Sequence, residues 1–172
     1  MTDPSNANTL VVYEKPTDVV IEIMDQYVAP ATKTMYTHHN LTFLLWLFDK
    51  DAELYMHDSI LDNALTAEEQ PSKGNKKRKA LCTLFKNCLS KVDKGERSCP
   101  IVLQKITFNV FSDYLAQRRS KKGAMLSKAS YGGIVSAWMY LINKAGYKMP
   151  PEFHKELNTF QRGMKRKVTS EK

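Results

Sequence analysis

The stretch Leu126–Gly146 combines residue types that suit a phosphate group. Lys128, Ser130 and Tyr131 fall in the first turn of a helix that the apolar spacing predicts, and two bare glycines follow directly. A helix start offers unpaired N–H groups and the positive end of the helix dipole, and both favour an anion. We therefore predict an anion contact at this helix start.

A basic loop leads straight into that helix. Its charged residues are Arg118, Arg119, Lys121 and Lys122. Loop charge and helix dipole converge on one place, which favours contact with a phosphate backbone over a merely solvated loop. A second helix, predicted to open at Thr32, has the same kind of beginning.

A third basic segment precedes the middle of the chain. Lys73 and the run Lys76, Lys77, Arg78 and Lys79 place five cations within seven positions. Such a run is typical of a flexible DNA-binding segment or a nuclear import signal, and the plain alternative is a solvated helix start. We favour a secondary DNA role.

Charge is segregated along the chain. Residues 1–70 hold three Lys, no Arg and twelve Asp or Glu, a net of −9, whereas residues 71–172 hold 23 basic and six acidic side chains, a net of +17. Solubility charge seldom divides so sharply, so the pattern predicts a polyanionic partner for the second part.

No pattern of an enzyme or a metal centre accompanies these charges. The sequence lacks a Gly-rich phosphate loop, a His-Glu-x-x-His helix and a Gly-x-Ser-x-Gly elbow, and we predict no cofactor. The acidic cluster Asp49, Asp51, Glu53 and Asp58 is interpreted as a solvated face. Cys82 and Cys88 lie six apart without a nearby His, so we interpret them as small core residues rather than zinc ligands.

The cysteines and the hydropathy of the sequence indicate the cellular location of the protein. Three cysteines cannot all pair, and no secretory signal or apolar run of about 18 residues is present. We expect an intracellular protein with no membrane partner.

The elements that must position these residues are helices. Gly and Pro number seven each and 42% of residues are apolar, which disfavours turn-rich β folds. We predict a leader over 1–16 and one all-α domain of five to seven helices over 17–167. The first predicted helix runs from Thr17 or Asp18 to Pro30, and the second, which we expect to be buried on every side, runs from Thr32 to about Asp49. A third helix is predicted over Lys76–Val92, a fourth is capped by Thr107, and a fifth is ended by Gly146. The last begins at Pro150 and carries an apolar stripe of Phe153, Leu157, Phe160 and Met164.

The spacing of Thr32, Tyr36, Phe43 and Trp46 resembles the first core helix of the tyrosine recombinase (phage integrase) family. The segment Leu126-Ser-x2-Ser-Tyr, with Ala137 and Ala145-Gly146 downstream, looks like the last core helix of the same domain. The chain departs from the pattern at Asn40 and Trp138, where the family tends to have leucine. The end Met149–Arg166 is similar to eukaryotic recombinases of the crypton-like mobile-element type.

The resemblance implies a SAM-like core-binding domain, a compact helical bundle that clamps double-stranded DNA. It also implies that Lys33, Thr34, Thr37 and His38 contact phosphates or a groove edge, with a solvated helix end as the open alternative. Lys165 and Arg166 lie where the connector, over 168–172, to an absent C-terminal catalytic domain would begin, and we expect them to contact DNA too.

Chemistry is not expected in this chain. The family uses a His-x-x-Arg pair, and the residues three places after the four histidines are Leu41, Thr42, Ile60 and Leu157. We therefore predict a DNA-clamping module of a tyrosine recombinase without catalysis, nuclear if the host is eukaryotic, and self-associating on DNA. The alternative is a helical protein-interaction domain whose basic face binds an acidic protein.

Overall fold

The computed structural model describes residues 17, 19, 28–70, 78–96 and 99–170. Within these ranges the chain forms six α-helices, one short 3-10 turn and no strand, so the all-α prediction is confirmed. The helices are α1 (Pro30–Tyr55), α2 (Asp58–Glu68), α3 (Lys79–Asp93), α4 (Phe108–Gln117), α5 (Lys128–Lys144) and α6 (Pro151–Ser170), and the turn is Leu103–Lys105. The helix predicted before Pro30 lies almost entirely outside the described residues.

The start of α1 corrects one prediction. Pro30 begins this helix, so Thr32, which was expected to be the cap, lies inside the first turn. Proline suits the first helical position because its missing N–H has no helical partner there and its φ is already helical. The cap position belongs to Ala29, whose carbonyl accepts a 3.0 Å hydrogen bond from the Lys33 amide.

A kink divides α1 near its end. Asp51 has φ −167° and ψ 89°, and its carboxylate accepts a 3.1 Å hydrogen bond from the Leu54 amide. Asp51 therefore caps a new turn that extends the helix beyond the predicted end at Asp49 to Tyr55. The chain beyond α1 is held by two backbone hydrogen bonds, His57 N–H to Pro100 O and Val102 N–H to Tyr55 O.

The core lies around α1 and contains a cluster of aromatic rings. Phe43 is 2% exposed, and its ring packs edge-on against Trp138 and Phe111 with centroids 5.2 and 5.4 Å apart. Tyr114 lies 4.6 Å from the same ring. As expected, α1 is central and contacts α2, α3, α5 and the 3-10 turn. The prediction that it is buried on every side is wrong for its first turns, where Thr34, Met35 and His38 are exposed, and holds only over residues 40–48.

Three local signals in the second part of the chain are confirmed. Thr107 caps α4 by accepting a hydrogen bond from the Val110 amide, and Gly146 takes the left-handed conformation, φ 75°, after α5. The amide of Gly146 bonds to Asn143 O and that of Tyr147 to Ile142 O, the Schellman pattern that ends a helix. The predicted stripe on α6 packs against the core, and this helix runs on to Ser170 with Val168 buried.

Candidate nucleic-acid interface

The basic loop between α4 and α5 is a tight hairpin of residues 118–126, called here the basic hairpin. Arg119 pairs with Met125 in an antiparallel bridge, and the Ala124 carbonyl accepts a 2.8 Å hydrogen bond from the Ser120 amide. Gly123, with φ 80°, allows the reversal. Lys121 and Lys122 therefore lie exposed at the tip.

Tyr131 ties the basic hairpin to α5. Its hydroxyl donates to the Arg118 carbonyl and accepts from the Leu126 amide, both at 3.3 Å, so it joins the two ends of the hairpin. The side chain is only 5% exposed. Tyr131 was predicted to contact DNA, but the structure places it beneath the hairpin, where it positions the neighbouring cations.

The start of α5 is capped by Ser127. Its hydroxyl oxygen accepts the Ser130 amide at 3.1 Å and lies 2.9 Å from the Ser130 hydroxyl. The amides of Lys128 and Ala129 have no partner within the described ranges and remain available at the positive end of the helix. The exposed Lys128 side chain leaves from the same turn.

Helix α6 brings further cations to this helix start. Lys128 and Lys165 line one small depression between α4, α5 and α6, together with Gln161 and Met164. Arg166 follows on the exposed surface of α6. The tertiary structure therefore places Lys165 beside the start of α5, although the two lie far apart in the sequence. We call the basic hairpin, the α5 start and Lys165–Arg166 the basic face.

Positive charge dominates the segment that forms most of the basic face. Residues 114–151 contain seven Lys or Arg and no Asp or Glu. The nearest acidic residue before them, Asp113, forms a 2.9 Å ion pair with Lys50, and this hydrogen bond, with that of Gln117, lowers the pKa of its carboxyl. The field on this face is therefore positive and suits a polyanion.

The two arginines of the basic hairpin are partly engaged within it. Arg119 donates through one Nη to the carbonyls of Ala116 and Arg118, at 2.7 and 2.8 Å, and so caps the end of α4. The Arg118 guanidinium lies 5.5 Å from the centroid of the Tyr114 ring. Lys121, Lys122 and Lys128 are exposed as well, and they are the cations of this part that the proposed binding test changes.

The residues predicted at the start of α1 occupy a different place. The hydroxyls of Thr34 and Thr37 donate to backbone carbonyls one turn earlier, at 3.1 and 3.0 Å. Lys33 and Thr37 line a cavity beside α3, whereas His38 is exposed. The structure does not gather these four residues with the basic hairpin into one depression.

The third predicted segment is only partly described. Lys76 and Lys77 lie outside the described residues. Arg78 forms a bidentate ion pair with Asp49, at 2.7 and 2.9 Å, and a 3.0 Å hydrogen bond to Glu68. Its guanidinium thus joins α1, the end of α2 and the start of α3, and its charge is balanced within the chain.

Sequence reasoning assigned no role to His39, which joins α1 to α5 beside the basic hairpin. An alanine Cβ at Gly133 would lie 3.3 Å from the His39 Nε2 atom, so the glycine permits this close approach. Burial of the imidazole lowers its pKa, and the charges of His38 and Arg118 lower it further. The glycine in the sequence was the one signal of this contact.

The cysteines and acidic residues provide no second site. All three cysteines are free and pack beside the core, and burial raises the pKa of the Cys99 thiol to about 11. No three His, Cys, Asp or Glu side chains cluster as metal ligands in the part of the chain that the structure describes. Among those same residues, no helix has the length and apolarity to span a bilayer.

No family model matches the chain, and no curated protein or solved structure is significantly similar to it.

Proposed function

We propose that this chain binds double-stranded DNA through the basic face, as the non-catalytic clamp domain of a tyrosine recombinase of the crypton-like type. The observation that carries the proposal is that Lys165 of α6 lies beside Lys128 at the open start of α5, which directly follows the basic hairpin, and that residues 114–151 contain no Asp or Glu. Cations from three separate elements on one rigid support suit a phosphate backbone.

The recombinase part of the proposal rests on the sequence resemblance and on the helical class of the fold. The two motif-bearing helices, α1 and α5, pack directly against each other. The two departures from the family pattern lie in this interface region, where Asn40 and Trp138 are both buried. The two departures are therefore core positions and are not among the residues proposed to contact DNA.

The direct test is fluorescence anisotropy with a random-sequence duplex at several salt concentrations. Each phosphate contact should contribute about 0.9 to the slope of log affinity against log salt. The triple variant Lys121→Glu, Lys122→Glu and Lys128→Glu should lower the affinity for all duplexes alike and flatten the slope. An unchanged affinity would contradict the assignment of the basic face.

A matched variant controls for net charge. Lys91→Glu, Lys94→Glu and Lys105→Glu change the same number of exposed lysines outside the basic face. We expect a much smaller loss of affinity, because these lysines contribute only through the long-range field, which salt screens. Equal losses in both triple variants would indicate nonspecific attraction and would refute a defined interface.

The alternative, a domain that binds an acidic protein, predicts no preference for DNA over heparin of equal charge. Competition between duplex DNA and heparin therefore separates the two functions. Incubation with a nicked suicide-type DNA substrate tests the non-catalytic part of the proposal. A covalent protein–DNA adduct formed by this chain would contradict it.

A further inference from the structure

A cavity lies where α5 ends and α6 begins, beside the start of α4. Its volume is about 220 Å³, whereas an apolar cavity of ~150 Å³ is enough to hold benzene. The lining comes from the 3-10 turn, the start of α4, the second half of α5, residues 147–150 and the first turns of α6. One aromatic ring with a short substituent therefore fits this cavity.

The wall of the cavity is mostly apolar and contains four aromatic residues. These are Phe108, Trp138, Tyr147 and Phe153. The rings of Phe108 and Phe153 pack at a right angle, with centroids 6.1 Å apart. Aromatic side chains gain free energy by covering an apolar group, and their ring faces attract a cation. The wall thus suits an apolar group that carries a positive charge.

The only charged side chains of the lining are two carboxylates, Glu152 and Glu156. They lie one turn apart on α6, both are exposed, and neither forms an ion pair with another residue that the structure describes. They are also the only Asp or Glu within residues 114–170, a segment rich in Lys and Arg. The lining therefore carries a formal charge of −2 in an otherwise positive part of the chain.

We propose that this cavity binds a small organic ammonium compound with an apolar body, of the arylalkylamine class. The ring would be covered by the apolar wall, and the ammonium group would face Glu152 and Glu156 at the rim, with cation–π attraction from the aromatic faces. The site is distinct from the basic face, because Glu152 lies about 20 Å along α6 from Lys165 at the helical rise of 1.5 Å per residue. It does not depend on the proposed function.

The test is an NMR titration of the ¹⁵N-labelled chain with three soluble probes of similar shape: phenethylamine, which is a cation, neutral 2-phenylethanol and anionic phenylacetate. The chain has two tryptophans and hence two indole N–H signals. The Trp138 signal should shift, while Trp46, whose Nε1 donates to Gln117 outside the lining, is the internal control. Phenethylamine should bind about tenfold more tightly than 2-phenylethanol, and phenylacetate should bind most weakly.

The double variant Glu152→Gln and Glu156→Gln removes the charge and keeps the shape of the rim. It should weaken phenethylamine binding about fivefold, the effect of losing partly exposed ion pairs, and leave 2-phenylethanol binding unchanged. Glu53→Gln, at an exposed position on α1 outside the lining, should change neither.

Three results would overturn the proposal: no probe shifts the Trp138 signal, phenethylamine and 2-phenylethanol bind equally, or the double variant binds phenethylamine as the unmodified chain does. A peptide that contains trimethyllysine presents the same ammonium chemistry on a protein. Tighter binding of this peptide than of phenethylamine would overturn the small-molecule assignment and indicate a protein partner.

Discussion

The side-chain amide of Asn40 donates a 3.0 Å hydrogen bond to the backbone carbonyl of Ala137. The two residues lie on α1 and α5, the two helices that carry the recombinase resemblance. Asn40 is 5% exposed and is the one buried polar residue of the described core. This bond fixes the two helices against each other where the family pattern would place leucine.

We expect Asn40→Ala to lower the free energy of unfolding by about 1–2 kcal/mol, because a buried hydrogen bond is lost and a small void is left. Asn87→Ala is the control, since Asn87 is exposed on α3, and it should change the free energy by less than about 0.5 kcal/mol. Urea denaturation measures both. Equal effects would show that the Asn40 bond contributes nothing.

The adjacent glycines of α5 give a paired prediction. An alanine Cβ at Gly132 would meet no atom within 4 Å, whereas one at Gly133 would lie 3.3 Å from the His39 Nε2. Gly132→Ala should stabilise the chain by about 1 kcal/mol through helix propensity. For Gly133→Ala the same gain in helix propensity should be offset by a steric cost of about 1 kcal/mol, because the new methyl group crowds His39. Thermal unfolding of the two variants would reveal this difference, and identical midpoints would contradict the close contact.

The cap of α5 allows stability and DNA binding to be separated. Ser127→Ala removes the acceptor for the Ser130 amide and should cost about 1 kcal/mol of stability. Ser127→Asp keeps an acceptor and should preserve stability, but its negative charge beside Lys128 should weaken DNA binding several-fold. Anisotropy and denaturation on the same two variants check this. Full DNA affinity in the Asp variant would count against a phosphate at the α5 start.

His39 gives a prediction for pH. Its pKa is lowered in the folded chain, by burial first and then by His38 and Arg118, so the unfolded chain binds the proton more readily. Stability should therefore fall as the pH drops below about 6.5, the ordinary histidine value. His39→Gln should reduce this loss between pH 7 and 5, while His154→Gln, at an exposed position on α6, serves as the control for removing an imidazole. An unchanged pH dependence in His39→Gln would contradict the assigned environment.

The sequence by itself determined the helical class, the segregation of charge and the order of the described helices except α2, which was not among the predicted helices. These follow from short-range physics: apolar residues at helical spacing define a face, Thr107 caps its own helix, and Gly146 ends one because it alone tolerates a positive φ without strain. The exposed lysines of the basic hairpin were predictable for the same reason, since a charged run between two helices stays in solvent.

Only the tertiary structure decided which of the candidate residues act together. The Tyr131 side chain is buried, and Arg78 forms ion pairs with Asp49 and Glu68. Lys165, in contrast, lies beside Lys128 on the basic face. Such relationships depend on how separate helices pack, and a partner as remote in the sequence as Ala137 is from Asn40 leaves no trace in the spacing of neighbouring residues.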